Sequence, residues 1–291
     1  MAQRLGPWSL AAVETGDFAL DGGAMFGVVP RVLWQREHPP DEENRIDMTM
    51  RALLIRGEVR GRERIVLVDT GIGGKLTPKL QAIYRVDHSD HDLVGSLAGQ
   101  GVTPALVTDV ILTHLHFDHV GGATRLAEGG EVVPTFPNAT YHVQQRQWDW
   151  ACAPSERDRA SFFEENFQPL RAAGQLDLLD GETELLPGLF LLVVDGHTPG
   201  QQLPLIRTVK QSFLYCADLF PTAGHIRLPW IMAYDLEPLK SLAEKKRVLP
   251  QAMEEQWVLF FEHDARRECA RVEEDERGYR ASEPFSLMEC M

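Results

Sequence analysis

The stretch Thr113-His114-Leu115-His116-Phe117-Asp118-His119-Val120-Gly121-Gly122 sets four potential metal ligands within six residues, and it restricts the chain more than any other feature. It follows Val107-Thr108-Asp109-Val110-Ile111-Leu112, a β-branched and apolar run that predicts a buried strand ending in a turn. The ligand cluster therefore belongs at a strand end. In extended backbone alternate side chains share a face, so His114 and His116 point the same way. Asp118 follows if the extension persists, and His119 joins as the chain turns. Gly121 and Gly122 supply backbone freedom there and bring the cluster close to the next backbone. Imidazole and carboxylate donors suit zinc, and also manganese or iron.

Three later strands finish in the same kind of residue. Leu189 to Val194 runs into Asp195-Gly196-His197-Thr198-Pro199-Gly200, Ser212 to Cys216 into Ala217-Asp218, and Trp257 to Phe261 into Glu262-His263-Asp264. Upstream, Arg64 to Val68 ends in Asp69-Thr70-Gly71. A buried strand-end aspartate needs partners for its charge, and the second ring nitrogen of a metal-bound histidine is one; a plain turn aspartate is the other reading. His114, His116, Asp118, His119, His197, Asp218 and His263 make seven donors, more than one tetrahedral site uses. Two adjacent metals are the economical reading, with a bridging aspartate holding them about 3.5 to 4 Å apart. Sequence alone leaves open which aspartate bridges.

Composition fits a globular protein, with 44% apolar and 25% charged residues. The net charge of −14 makes a poor non-specific partner for nucleic acid or an anionic membrane. Cys152, Cys216, Cys269 and Cys290 form no CxxC pair, which fits a reduced, cytoplasmic setting. Met1 to Gly16 reads as neither a signal peptide nor a membrane span. No linker forces two domains, so residues 1–291 are read as a single domain with 22–50 as a loop excursion.

Residues 8 to 20 read as a hairpin turning at Gly16-Asp17, and 51–56 with 64–69 as a second. Gly22 to Pro30 lacks the spacing of a phosphate cradle. Helices are expected over 90–99, 144–151, 159–173 and 235–255, the last interrupted by Pro238 and Pro250, with His142 a structural histidine on its strand.

The series His114-x-His116-x-Asp118-His119, Asp69-Thr70-Gly71, Gly196-His197-Thr198-Pro199-Gly200, Asp218 and His263 resembles the metallo-β-lactamase superfamily over about residues 50 to 264. Gly23 to Pro30, Asp218 to Ala223 and Leu228 to Asp235 further resemble the YtnP-type quorum-quenching lactonase branch. The resemblance implies an α/β fold, a four-layer αββα sandwich. It implies two zinc ions, with manganese, iron or cobalt as alternatives. His114, His116 and His197 would hold the first, Asp118, His119 and His263 the second, with Asp218 bridging and Asp69 behind the ligands. Cys216 matches no ligand position, which argues against β-lactam hydrolysis.

The implied reaction is hydrolysis of a lactone, above all an N-acyl-homoserine lactone, by a metal-bound hydroxide; two cations lower the pKa of water from 15.7 to roughly 7. Asp118 would return a proton to the leaving group. Met25, Phe26, Phe117, Phe220, Trp230 and Met232 are candidates to line an acyl pocket, and Tyr234 or His225 to bond the substrate carbonyl. For each apolar residue taken alone, ordinary core is the competing reading. The partner is a small lactone or ester, with no nucleic acid and no membrane, and a homodimer is allowed. Competing activities on the same ligands are phosphotriester or aryl-ester hydrolysis, a glyoxalase II-like thioesterase and an RNase Z-like phosphodiesterase. A diiron redox protein expects a glutamate in the first motif, where this chain has His116; a scaffold that has lost its metals is a third class, and here all seven donor positions are filled.

Overall fold

The computed structural model describes residues 6–290, so the reading of the first five residues lies outside it. Six strands, β1 (Ser9–Asp21), β2 (Arg45–Val59), β3 (Arg62–Val68), β4 (Asp109–Ile111), β5 (Thr140–Gln144) and β6 (Leu176–Leu179), form one sheet in that order. A second sheet orders β12-β11-β10-β9-β8-β7, built from β7 (Thr183–Leu186), β8 (Leu189–Val194), β9 (Gln201–Arg207), β10 (Ser212–Tyr215), β11 (Val258–Phe260) and β12 (Cys269–Ala270). A hairpin of β13 (Val272–Asp275) and β14 (Gly278–Ala281) follows. The chain divides into two compact units: the first holds Pro7–Asp17 and Met50–Glu182, the second Phe18–Thr49 and Thr183 onward.

In the first unit β3, β4, β5 and β6 run parallel, an arrangement that needs crossover segments and covered faces. The helix Leu93–Gly99 crosses from β3 to β4, capped by the Asp92 carboxylate on the amides of Val94 and Gly95. Gln145–Cys152 and Glu164–Ala172 cross from β5 to β6. Leu97, Trp148, Phe167 and Leu170 pack with Leu54, Leu67, Val110 and Tyr141 of the strands in one buried core. Burying each such large side chain contributes about 1.5 to 3 kcal/mol. Parallel strands deliver their carboxyl ends to one edge, and β3 and β4 are paired as far as Val68 opposite Ile111. Asp69 and Thr113 thus emerge side by side.

The second unit repeats the device once. Helix Pro238–Glu254 lies between β10 and β11, which pair in parallel with Tyr215 opposite Phe260. Three residues beyond each member of that pair stand Asp218 and His263.

Several expectations need correction. Residues 9–21 are one continuous strand rather than a hairpin. Gly16 takes φ 132° and Asp17 bridges to Asp87, so the glycine bends a strand that keeps its pairing. The 22–50 stretch is not all loop. Asp21 caps a short helix, Gly22–Phe26, through the Ala24 amide, a second helix spans Arg31–Trp34, and β2 begins at Arg45. Pro238 occupies the first helical turn, and Pro250 lies inside the helix without ending it. His142 is held between Asp109 (3.0 Å) and Asp177 (2.8 Å) as a structural histidine. Among the described residues no helix is long and apolar enough to cross a membrane.

Candidate metal centre

The first unit presents His114, His116, Asp118 and His119, all at most 7% exposed. Extension ends at His116, because the helix Phe117–Val120 starts at once and carries Asp118 and His119. Their placement depends on Asp69. Its Oδ1 accepts the Thr113 amide (2.7 Å), and its Oδ2 accepts the Thr113 hydroxyl (2.6 Å) and faces His119 Nδ1 (3.0 Å). The Thr113 hydroxyl, its proton given to Asp69, lies 3.1 Å from His114 Nδ1 and can only accept from it. Asp69 thus puts the proton on Nδ1 in both histidines and leaves each Nε2 as a lone-pair donor, the form a metal requires. His114 Nε2 then meets His116 Nδ1 at 3.0 Å, and His119 Nε2 stands 3.8 Å from Asp118 Oδ2.

The turn behind the ligands is tightly packed. Thr70 bonds the His119 carbonyl with both its amide and its hydroxyl, at 2.8 Å each. A Cβ on Gly121 would fall 1.9 Å from the Ile72 carbonyl oxygen, and one on Gly122 2.3 Å from that of Thr70. These glycines let the 69–72 and 119–122 segments touch. Lys75 bonds the Gly121 and Thr124 carbonyls, and burial lowers its pKa to about 8.

The second unit presents His197, Asp218 and His263. The His197 turn is held by the Glu244 carboxylate on the amides of Asp195 and Gly196. His197 Nδ1 lies 2.9 Å from Asp235 and its Nε2 3.1 Å from Asp218 Oδ2. His263 Nδ1 lies 3.0 Å from the Thr49 carbonyl and its Nε2 3.3 Å from Asp218 Oδ1. Each imidazole is anchored through Nδ1 and presents Nε2, and Asp218 offers one oxygen to each. The field here calls for a cation. Burial alone depresses the His197 pKa, but Asp218 and then Asp235 more than reverse this and raise it to about 10. The donor types, tautomers and field in both units fit a divalent metal.

Other candidates fare differently. Met25, Phe26 and Phe220 are at most 1% exposed. Phe26 stacks on Trp34 and His225, with its ring edge-on to Trp230. His225 is corrected as a substrate-binding residue. Its Nε2 meets the Met25 carbonyl and its Nδ1 the Thr222 hydroxyl, both at 2.8 Å, and burial holds its pKa near 3. A neutral ring with both nitrogens engaged has none for a ligand. Trp230 and Met232 are buried at 9% and 4% exposure, whereas Tyr234 is 39% exposed. Phe117 stacks on Tyr84 and meets Phe163, beside a cleft of about 380 Å³ lined by Leu76, Leu80, Phe162 and Phe163 together with Lys75, Thr77, Glu164 and Glu165.

Sequence reasoning missed Asp235, the partner of His197, although it closes a quoted motif. It also missed the roles of Thr113 and Gln147; Gln147 accepts the Leu115 amide at 3.2 Å. A threonine directly before the first ligand was the available signal.

A fold that sets buried histidines and aspartates just beyond strand ends, with His114, His119 and His197 oriented by aspartates, defines a class. Residues 52–263 match the family model of the metallo-β-lactamase superfamily, and the chain belongs to that superfamily, with its fold. It is a hydrolase with lactonase homologues. An N-acyl homoserine lactonase of a Bacillus species is 29% identical over 202 residues, 68% of this chain and 70% of the relative. The crystal structure of a probable metal-dependent hydrolase from Staphylococcus aureus superposes with a TM-score of 0.85 at 29% identity, covering 97% of this chain and all of that one. The dizinc quorum-quenching lactonase AidC, at 21% identity and a TM-score of 0.77 over 98% of this chain and 97% of its own, shares the fold.

Proposed function

We propose that this protein opens a lactone ring, an N-acyl-homoserine lactone being the leading substrate, with two zinc ions. His114, His116 and His197 would hold one ion and Asp118, His119 and His263 the other, with Asp218 shared. The observation that carries this is Asp218 itself, whose two oxygens face two different histidines. When bound, the metals supply Lewis-acid activation of water and of the substrate carbonyl. The chain supplies the rest. Asp69 orients His119 directly and His114 through Thr113, and Asp235 anchors His197 through Nδ1, so that each of the three turns its Nε2 towards a metal. Asp118 would carry a proton to the leaving oxygen, and Tyr234, the exposed ring, would donate to the carbonyl.

The relatives' activity supports a lactone, and in the cleft beside Phe117 the side chains of Leu76, Leu80, Phe162 and Phe163 offer an apolar wall to an acyl chain. The reading places the protein in the cytoplasm. A hydrolysis panel of homoserine lactones, aliphatic lactones, an aryl ester, a phosphotriester and a glutathione thioester tests it. Ring opening of homoserine lactones is expected to dominate, and turnover confined to the phosphotriester or thioester would overturn the assignment. Asp118→Asn with both metals and full activity would remove the proton-carrying role, and Tyr234→Phe with unchanged turnover would remove that of Tyr234.

A further inference from the structure

The second unit has a polar cleft of about 180 Å³ that the hydrolytic reading does not use, lined by Glu37, Ala223, Gly224, Arg227, Arg267 and the segment from Arg280 to Pro284. Three guanidiniums face it in a chain whose net charge is −14. Two have close carboxylate partners: Arg267 Nη1 is 3.0 Å from Glu37, and Arg280 Nη2 is 2.6 Å from Glu273. Arg227 differs. Its side chain is 27% exposed, and among the described residues its carboxylate contact is Asp275 Oδ2 at 4.0 Å, too far for a hydrogen bond. The same Asp275 oxygen lies 3.8 Å from Arg280 Nε, so one negative charge is shared between two positive ones. Glu283 is exposed and offsets the excess only through solvent.

A second polar group lies behind the glycine of the cleft wall. His38 is 6% exposed, and its Nε2 has no hydrogen-bond partner among the described residues. A Cβ on Gly224 would come 3.6 Å from that nitrogen and 3.3 Å from the Trp230 ring, so the glycine backs directly onto both side chains. Burial lowers the pKa of His38, which keeps the ring neutral and able to donate or accept. A guanidinium mostly removed from water with its fork of N–H donors unused is costly unless an acceptor enters.

We propose that this cleft is a binding site for a small oxyanion, a phosphate or carboxylate group, gripped by Arg227 and Arg280 with Arg267 at its edge. The planar fork of arginine matches the paired oxygens of either group. The volume is roughly six times the ~30 Å³ share of a water molecule, enough for one such group with a few waters. The overall negative field opposes anions and limits affinity, and added salt weakens binding further.

Thermal unfolding and calorimetric titration of the metal-loaded protein with inorganic phosphate and with acetate, each against chloride at equal ionic strength, test the site. The expected result is a saturable rise in melting temperature with at least one of the two anions, and the better binder identifies the group. Arg227→Gln and Arg280→Gln each weaken that binding at least tenfold, while Lys79→Gln, an exposed charge change elsewhere, leaves it unchanged. If one arginine variant does not fold, the other decides. No saturable effect above chloride would overturn the proposal. So would full retention in the arginine variants, since anions bound at the metal centre would survive those substitutions.

Discussion

Asp69 Oδ2 lies 3.0 Å from His119 Nδ1, while the same oxygen accepts the Thr113 hydroxyl at 2.6 Å. One buried carboxylate thus orients two imidazoles, one directly and one through threonine. Its residue adopts φ 55°, a left-handed conformation that strains most side chains and that aspartate and asparagine tolerate best.

Asp69→Asn should therefore fold, because asparagine keeps the shape and tolerates that backbone. It offers one acceptor oxygen where Asp69 uses two, so one bond to Thr113 or His119 is lost. Zinc affinity is expected to fall about 10- to 100-fold by chelator competition, with an unchanged circular-dichroism spectrum. Undiminished affinity would show that the carboxylate does not tune the ligands.

Asp218→Ala removes the oxygens facing His197 and His263 together. Metal content of the purified variant, measured by plasma emission, should drop to one ion per chain or fewer. Lactone turnover should fall by at least about 100-fold. Two ions retained at full occupancy would argue against a shared carboxylate.

Lys245 is 1% exposed, with Nζ 2.8 Å from the carbonyls of both Arg227 and Trp230. Burial lowers its pKa from 10.5 to about 7, while Asp235 acts in the opposite sense. Between those values the unfolded chain binds the proton that the folded chain has released, so folded stability rises with pH across the window. Below about pH 7 the penalty for the buried charge is fully present. Urea midpoints should climb from pH 7 to 10 in the wild type and climb less in Lys245→Met. Equal slopes would mean that Lys245 keeps an ordinary pKa.

Gly121→Ala places a methyl 1.9 Å from the Ile72 carbonyl oxygen, and the nearest atoms are all Ile72 backbone, which cannot yield cheaply. Urea unfolding should report a loss of about 3 kcal/mol or more. Gly129→Ala, with open space around it, should stay within about 0.5 kcal/mol.

Much of the centre was legible because its donors sit at strand ends, where short apolar runs stop. His114, His197, Asp218 and His263 each follow such a run, and parallel pairing of β10 with β11 then sets Asp218 beside His263. What was not legible is non-local or a matter of burial. Asp235 reaches His197 from 38 residues along the chain, a contact no local period encodes. His225 looked available because polarity is visible in a sequence, whereas the Met25 carbonyl that occupies it is 200 residues away. Gly16 carried a turn signal, yet the backbone at residue 87 bridges Asp17 and β1 continues through the bend.

Titration of the metal-stripped protein with zinc, reading ring opening of an N-acyl-homoserine lactone by proton release at each addition, tests the central claim most directly. The account predicts negligible turnover without metal and a rise that saturates at two zinc ions per chain. Full activity at one equivalent, or no lactone opening with two ions bound, would contradict it.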